Sequence, residues 1–141
     1  MLTLGLVGCG KTKRAGRWSA RDLYIGPLFR SSLRYAESHC DVVLILSALH
    51  GLVELHQELE DYDSALTQAS RPDRERWGES VAAELLRRYD HETLSVTFLA
   101  GQGYIDPVVH AMSWQGPHWT AITPLAGLGV GQRLAWLRRA P

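Results

Sequence analysis

The chain has 141 residues, with 15 Lys and Arg against 15 Asp and Glu and a formal net charge of zero. This length predicts a single domain, residues 1–141, that can bury a normal core. The balanced charge gives no indication of a nucleic-acid partner, and 45% hydrophobic residues are ordinary for a globular protein. Two cysteines, Cys9 and Cys40, are too few for a disulfide framework.

The beginning of the sequence does not have the features of a signal peptide, because it has neither a basic start nor a long apolar run. No stretch approaches the roughly 18 apolar residues that a membrane-spanning helix needs. The sequence therefore predicts a cytoplasmic protein with no membrane partner. It leaves the oligomeric state open.

Four apolar runs predict buried strands, and helical patterns lie between them. The predicted strands cover residues 2–7, 42–46, 94–99 and 119–122. The predicted helices run from Ser19 or Asp22 to about His39, from Ser70 or Asp73 onward, over residues 104–112 and over residues 130–139. This alternation predicts an α/β domain with a mainly parallel sheet of about four strands and helices on both faces.

The first predicted strand is followed by a glycine turn and then by cations. Glycines let the backbone turn and bring bare N–H groups to a ligand, and lysines add positive charge there. The predicted phosphate- or nucleotide-binding loop contains Gly8, Cys9, Gly10, Lys11 and Lys13. Its spacing matches neither the P-loop nor the dinucleotide fingerprint, and a plain turn with solvated lysines is the alternative.

Charge is divided between two segments. Residues 11–21 contain five cations and no acid, whereas residues 54–63 contain five acids and no Lys or Arg. Such a pair of segments could hold one ligand between cations and catalytic carboxylates. Alternatively, they are two solvated loops whose opposite charges balance.

The segment after the second predicted strand carries candidates for acid–base chemistry. His50 follows that strand almost directly, so we expect it at the rim of the sheet, where a histidine can act as general acid or base. Asp61 and Asp63 flank Tyr62, and paired carboxylates can activate water or stabilise a cationic transition state. We predict His50, Asp61 and Asp63 as catalytic residues. A histidine that caps a carbonyl and an Asp-x-Asp turn are the alternatives.

Three more residues are predicted to contact a nucleotide: Tyr24, Ser47 and Tyr104. Gly101 begins a glycine-containing turn that ends at Tyr104, where a base or sugar could approach the backbone. Tyr104 or Tyr24 could stack on a ring, and Ser47 lies at the end of the second strand. A plain strand-to-helix turn with a packed tyrosine is the alternative for residues 101–104. The histidines and acids of the chain fit no zinc spacing, so neither a metal nor a cofactor is expected.

Five motifs spread over nearly the whole chain carry a family resemblance. They are L-V-G-C-G-K-T-K at residues 6–13, A-R-D-L-Y-x-G-x-L-F at 20–29, L-S-A-x-H-G-L-V at 46–53, D-Y-D at 61–63 and P-L-x-G-L-G-x-G-x-R-L-A-W-L at 124–137. Together they resemble a bacterial family of domains of unknown function that is similar to the YaaA-like peroxide-stress proteins. The chain has Leu49 where that family leads us to expect lysine, and Leu55-His56 where it leads us to expect Pro-Asp.

The order of strands and helices is also distantly similar to the uracil-DNA-glycosylase-like fold, in which the loop after the first strand carries catalysis. The resulting hypothesis is an enzyme that cleaves or exchanges an N-glycosidic bond in a nucleotide or nucleic acid. Lysines and glycine N–H groups would hold phosphate, a carboxylate would stabilise the sugar cation, and His50 would protonate the departing base. The alternative is a nucleotide- or nucleic-acid-binding module without catalysis, linked to DNA repair or stress.

Overall fold

The computed structural model describes residues 1–90, 92–115 and 118–140. Seven strands are described: β1 (Leu2–Gly8), β2 (Arg17–Ser19), β3 (Val42–Ser47), β4 (Gly51–Glu54), β5 (Glu58–Glu60), β6 (Leu94–Leu99) and β7 (Trp119–Ile122). The described α-helices are α1 (Ala20–Leu23), α2 (Pro27–His39), α3 (Arg71–Arg88), α4 (Gln102–Gln115) and α5 (Val130–Arg139), and Leu66–Gln68 forms a 3₁₀ turn. None of the described helices is long and apolar enough to cross a membrane.

The central sheet has the strand order β4-β3-β1-β6-β7. β1 pairs in parallel with β3 on one side and β6 on the other, and β7 is parallel to β6. The α/β class and the mostly parallel sheet are therefore confirmed. The prediction of about four strands is wrong, because β4 adds a fifth strand antiparallel to β3. β4 returns through the turn that contains His50, and Gly51 has a φ of 73° there, which glycine adopts without strain.

A second, two-stranded sheet pairs the basic segment with the acidic one. β2 runs antiparallel to β5, with Arg17 opposite Glu60. The Arg17 guanidinium forms ion pairs with both Glu58 and Glu60, at 3.3 and 3.9 Å. The two oppositely charged segments therefore contact each other directly through backbone and side chains.

The helix predicted to run unbroken to His39 is two helices. α1 ends at Leu23, and α2 begins at Pro27 after an extended Gly26. A residue before proline avoids the helical conformation, whereas proline suits the first turn of a helix. Between the two helices, Tyr24 forms an isolated antiparallel bridge with Lys13. The break therefore brings Tyr24 to the predicted anion loop.

The later helices follow the predicted pattern. α3 begins after Ser70, whose Oγ accepts a hydrogen bond from the Asp73 backbone N–H at 3.3 Å, as expected of an N-cap. α4 is longer than the predicted helix at both ends, and α5 has the predicted bounds.

Apolar side chains form two clusters that take alternate residues from the central strands. Leu4 and Leu6 of β1 share one cluster with residues of α3 and α4. Val7 of β1 shares the other with residues of α2 and α5. Helices α3 and α4 approach each other so closely at Gly78 that a Cβ there would overlap the backbone of Pro107.

Candidate functional site

The site lies where β1 and β3 end side by side. These strands are parallel neighbours, with Gly8 opposite Leu46, and the Cys9 N–H donates to the Leu46 carbonyl at 3.0 Å. The loop after β1 and the turn after β3 therefore leave the same edge of the sheet. Ligands of open α/β sheets bind outside the carboxyl ends of the strands.

Five side chains gather at this edge, and we call them the hydroxyl–cation cluster: Lys13, Tyr24, Ser47, His50 and Tyr62. The Tyr62 hydroxyl is at the centre, 2.6 Å from the Tyr24 hydroxyl and 2.7 Å from Ser47 Oγ. The same Oγ accepts a hydrogen bond from the His50 backbone N–H at 3.1 Å. The exposed His50 ring lies edge-on to the Tyr62 ring, with 5.3 Å between centroids.

Lys13 supplies the positive charge of the cluster. Its Nζ lies 4.4 Å from the centroid of the Tyr62 ring, within the range of a cation–π interaction. It also donates to the backbone carbonyls of Gly10 and Lys11, at 3.5 and 3.4 Å. These contacts hold the ammonium group beside the hydroxyl groups, whereas the side chain of Lys11 is exposed.

Both central phenols are neutral at physiological pH, and burial moves their ionisation to still higher pH. Burial raises the pKa of Tyr62 and of Tyr24 above their usual value, and the nearby Cys9 raises both further. The hydroxyl groups therefore stay protonated at neutral pH and act as hydrogen-bond donors. The Tyr24 ring is buried against Phe29 and Tyr62, which leaves its hydroxyl as its polar contribution to the site.

Trp77 and Tyr104 form the neighbouring wall. Trp77 Nε1 donates to the Ser47 carbonyl at 2.9 Å, and the two aromatic rings meet edge-on at 5.5 Å. The Tyr104 hydroxyl lies 3.8 Å from Cys9 Sγ. Burial raises the pKa of Tyr104, so this hydroxyl is also neutral at physiological pH.

The two predicted catalytic carboxylates differ in their surroundings. Asp61 Oδ1 accepts the Gly16 N–H at 3.1 Å, while the Asp61 N–H donates to the Gly16 carbonyl at 3.0 Å. Asp61 thus holds the basic loop against the segment that leads to Tyr62. Asp63 is exposed and has no hydrogen bond or ion pair to any residue that the structure describes.

The structure thus brings Lys13, Tyr24, Ser47 and His50 together, and Cys9 contacts the nearby Tyr104. Gly8 has a packing role, since a Cβ there would lie 2.8 Å from the Cβ of Ala100. The roles predicted for the site residues remain predictions.

Sequence reasoning missed Tyr62 and Trp77. In the sequence, Tyr62 is notable only as the residue between two predicted catalytic aspartates, although D-Y-D is one of the motifs of the resemblance. Nothing local to Trp77 in the sequence indicates a hydrogen bond to Ser47, which is 30 residues away.

These features define an α/β protein with polar side chains gathered at the carboxyl edge of a mostly parallel sheet. Residues 4–139 match a family described as "Family of unknown function (DUF6884)", and the chain belongs to that family. The chain is also 30% identical over 152 residues to "Uncharacterized protein YfjM" of Bacillus subtilis (strain 168), in an alignment that covers 99% of this chain and 95% of that protein.

Proposed function

We propose that this protein is an enzyme that binds a nucleotide, free or within a nucleic acid, and cleaves or exchanges its N-glycosidic bond. The observation that carries the proposal is the hydroxyl–cation cluster. It places a lysine ammonium, neutral phenol donors and an exposed histidine around one point at the carboxyl edge of β1 and β3. The same assignment follows from the uracil-DNA-glycosylase-like order of strands and helices that we infer from the sequence, which is an analogy at the level of the fold.

The binding step uses charge and hydrogen-bond donors. The Lys13 ammonium, with Lys11 and the loop N–H groups, attracts phosphate oxygens. The Tyr62 hydroxyl donates to a phosphate or sugar oxygen, since burial keeps it protonated. We also infer that helices cover both faces of the sheet, because the two apolar clusters use alternate strand residues. The strand ends are then the part of the sheet open to a ligand.

The chemical step needs a proton for the departing base and an anion near the sugar. In hydrolysis, the C1′–N bond breaks and its electron pair goes to the base nitrogen, which takes a proton from His50. Water adds to C1′ and gives its proton to Asp63, whose carboxylate also stabilises the cationic sugar in the transition state. Asp61 keeps a positioning role through its hydrogen bonds with Gly16.

The test is release of free base from nucleoside monophosphates and from single- and double-stranded oligonucleotides, followed by chromatography. Asp63→Asn and His50→Ala should each lower the rate by about 10²–10⁴-fold, the usual contribution of an acid or base. Both side chains are exposed, so the variants should bind substrate and unfold at the wild-type midpoint.

Glu79→Gln is the matched control, because Glu79 is an exposed acid of α3 with no hydrogen bond or ion pair to the described residues. It should leave the rate unchanged. Base release that is equal in wild type and Asp63→Asn would contradict the proposed chemistry.

A second candidate is a nucleic-acid-binding module without catalysis, and a groove on another surface favours it. This groove has a volume of about 300 Å³ and is bordered by four arginines and two acids. Arg21 forms an ion pair with Glu37 at 2.6 Å, whereas Arg30 and Arg34 have no ion pair among the described residues. Two unpaired guanidinium groups on one groove fit the phosphates of a nucleic-acid backbone.

The salt dependence of oligonucleotide binding distinguishes the two candidates. If the groove binds the backbone, Arg30→Gln with Arg34→Gln weakens oligonucleotide binding and reduces the slope of log K against log salt by about 2. The same pair of substitutions leaves base release from a free nucleotide unchanged. Tight oligonucleotide binding without any base release would favour the module.

A further inference from the structure

A small cavity lies at the carboxyl ends of β1 and β6, and Cys9 and Tyr104 are among its lining residues. Its volume is about 80 Å³, and its walls come from the ends of β1 and β6 and from α2, α4 and the segment that leads into α5. A single water needs about 10–15 Å³ of such space, so the cavity has room for a group of several heavy atoms.

A guanidinium group supplies free hydrogen-bond donors at this cavity. Arg133 reaches it from α5, and its Nε donates to the Leu128 carbonyl at 2.9 Å. Its two terminal nitrogens have no hydrogen bond or ion pair with the described residues. None of the described residues that line the cavity is acidic. A guanidinium without a counterion at such a cavity favours an anion.

Ser32 is the second, independent observation. Its side chain lines the cavity and the residue is only 2% exposed, yet its hydroxyl has no hydrogen-bond partner among the described residues. None of the buried side-chain nitrogens and oxygens among the described residues lacks a hydrogen-bond partner, so the unbonded Ser32 Oγ is accessible from the cavity. A ligand oxygen in the cavity can pair with this hydroxyl.

Backbone donors and open space complete the arrangement. Gly10 and Gly101 line the cavity, and their N–H groups have no partner among the described residues. Gly101 also directly precedes α4, so the positive end of that helix faces this region. A Cβ on Gly101 would have Arg133 Nη1 as its nearest neighbour, at 4.0 Å. The position beside the guanidinium is therefore kept empty.

We propose that this cavity binds a phosphate group, with the terminal nitrogens of Arg133, the Ser32 hydroxyl and the N–H groups of Gly10 and Gly101 as donors. A guanidinium and several separate donors match the tetrahedral set of oxygens on phosphate. The group can be free inorganic phosphate or the phosphate of a nucleotide. The site does not depend on N-glycosidic chemistry.

The test is titration of the full-length protein with inorganic phosphate, followed by ³¹P NMR or calorimetry at constant ionic strength. Arg133→Gln should weaken phosphate binding by about tenfold or more, as expected for loss of a charged donor, and Ser32→Ala by about threefold. Gly101→Ala should weaken binding without lowering the unfolding midpoint, because the added methyl group occupies space intended for the ligand. Arg139→Gln, on the last turn of the same helix, is the control and should bind phosphate as wild type does.

Failure of wild type to bind phosphate, or equal affinity in wild type, Arg133→Gln and Gly101→Ala, would overturn the proposal. Inorganic phosphate has no glycosidic bond, so this result is separate from the test of base release. Comparing the binding of a nucleoside with that of its 5′-monophosphate then shows whether a nucleotide supplies the bound phosphate group. If the nucleotide supplies the phosphate, Arg133→Gln weakens binding of the monophosphate but leaves binding of the nucleoside unchanged.

Discussion

Glycine has opposite uses in two regions of this protein. Where α3 meets α4, the space beside Gly78 is filled by the backbone of Pro107. At the carboxyl edge of the sheet, the nearest atoms to a Cβ on Gly10 or Gly101 would lie 4.0 Å away. One glycine allows two helices to touch, and the other two leave room beside backbone and guanidinium donors.

The difference shows how the neighbours of a glycine separate packing from binding. None of these three glycines has a positive φ, so none is required by backbone conformation. A filled space is explained by the fold alone. An empty space next to unpaired donors, as beside Arg133, is where we propose that a ligand binds.

Gly78→Ala should produce the largest change. The added methyl group overlaps the Pro107 backbone, which cannot move as a flexible side chain does, so we expect destabilisation of about 3 kcal/mol or more. Urea unfolding followed by circular dichroism measures it. Gly131→Ala is the control, because outside its own helix backbone no described residue comes within 4 Å of that Cβ, and it should stabilise by about 0.5–1 kcal/mol. Equal stability of the two variants would contradict the comparison.

Tyr62→Phe tests the polar edge itself. It removes the hydroxyl that joins Tyr24 and Ser47, and we expect a loss of about 1–3 kcal/mol because two buried hydroxyl groups lose a partner. Tyr35→Phe is the matched control, since the Tyr35 hydroxyl has no hydrogen bond within the described residues. It should change the free energy of unfolding by less than about 0.5 kcal/mol.

The same phenols predict a loss of stability at alkaline pH. Burial raises the pKa of Tyr24, Tyr62 and Tyr104 in the folded protein, whereas the unfolded chain ionises its tyrosines near pH 10. The contribution is complete below pH 10 and is lost as the pH rises further, because only the unfolded state then releases protons. Denaturant unfolding between pH 8 and 11 measures the slope. A slope that is unchanged in Tyr62→Phe would show that this residue does not contribute.

Gly101→Ala should have the smallest effect on folding. The methyl group enters open space, so the free energy of unfolding should change by less than about 0.5 kcal/mol. Differential scanning calorimetry without phosphate gives the value. A loss as large as that of Gly78→Ala would mean that the space is needed for packing and would remove the distinction between the two regions.

Most of the framework was predictable from the sequence because its elements carry strong local signals. β3 contains a continuous apolar run at residues 42–46, and β6 is apolar apart from Ser95 and Thr97. α3 begins at a serine cap two residues before a proline. The missed strands are short and charged. β5 has one buried leucine between two glutamates, a pattern of alternation over only three residues. Gly26-Pro27 indicates the break between α1 and α2, but the apolar spacing on either side of it favours one continuous helix.

The site was only partly predictable, because its central contacts join distant parts of the chain. The Tyr24 and Tyr62 hydroxyl groups are 38 residues apart in sequence, and no periodicity relates them. Glycine and lysine after a strand indicated the loop, but the partner of Lys13 is an aromatic ring that no charge pattern reveals. Ser32 and Arg133 are ordinary helix residues in sequence and become notable only when the cavity between them is known.

The central position of β1 also determines when the central sheet can be completed during synthesis. β1 precedes both of its neighbours in the chain: it pairs with β3 on one side, and its other neighbour, β6, ends only at Leu99. Until that strand has left the ribosome, one edge of β1 has no partner, although every residue of the hydroxyl–cation cluster has already been translated. During this period the nascent chain has an unpaired apolar strand edge. Pairing of that edge with other chains, and hence aggregation, is then most favourable.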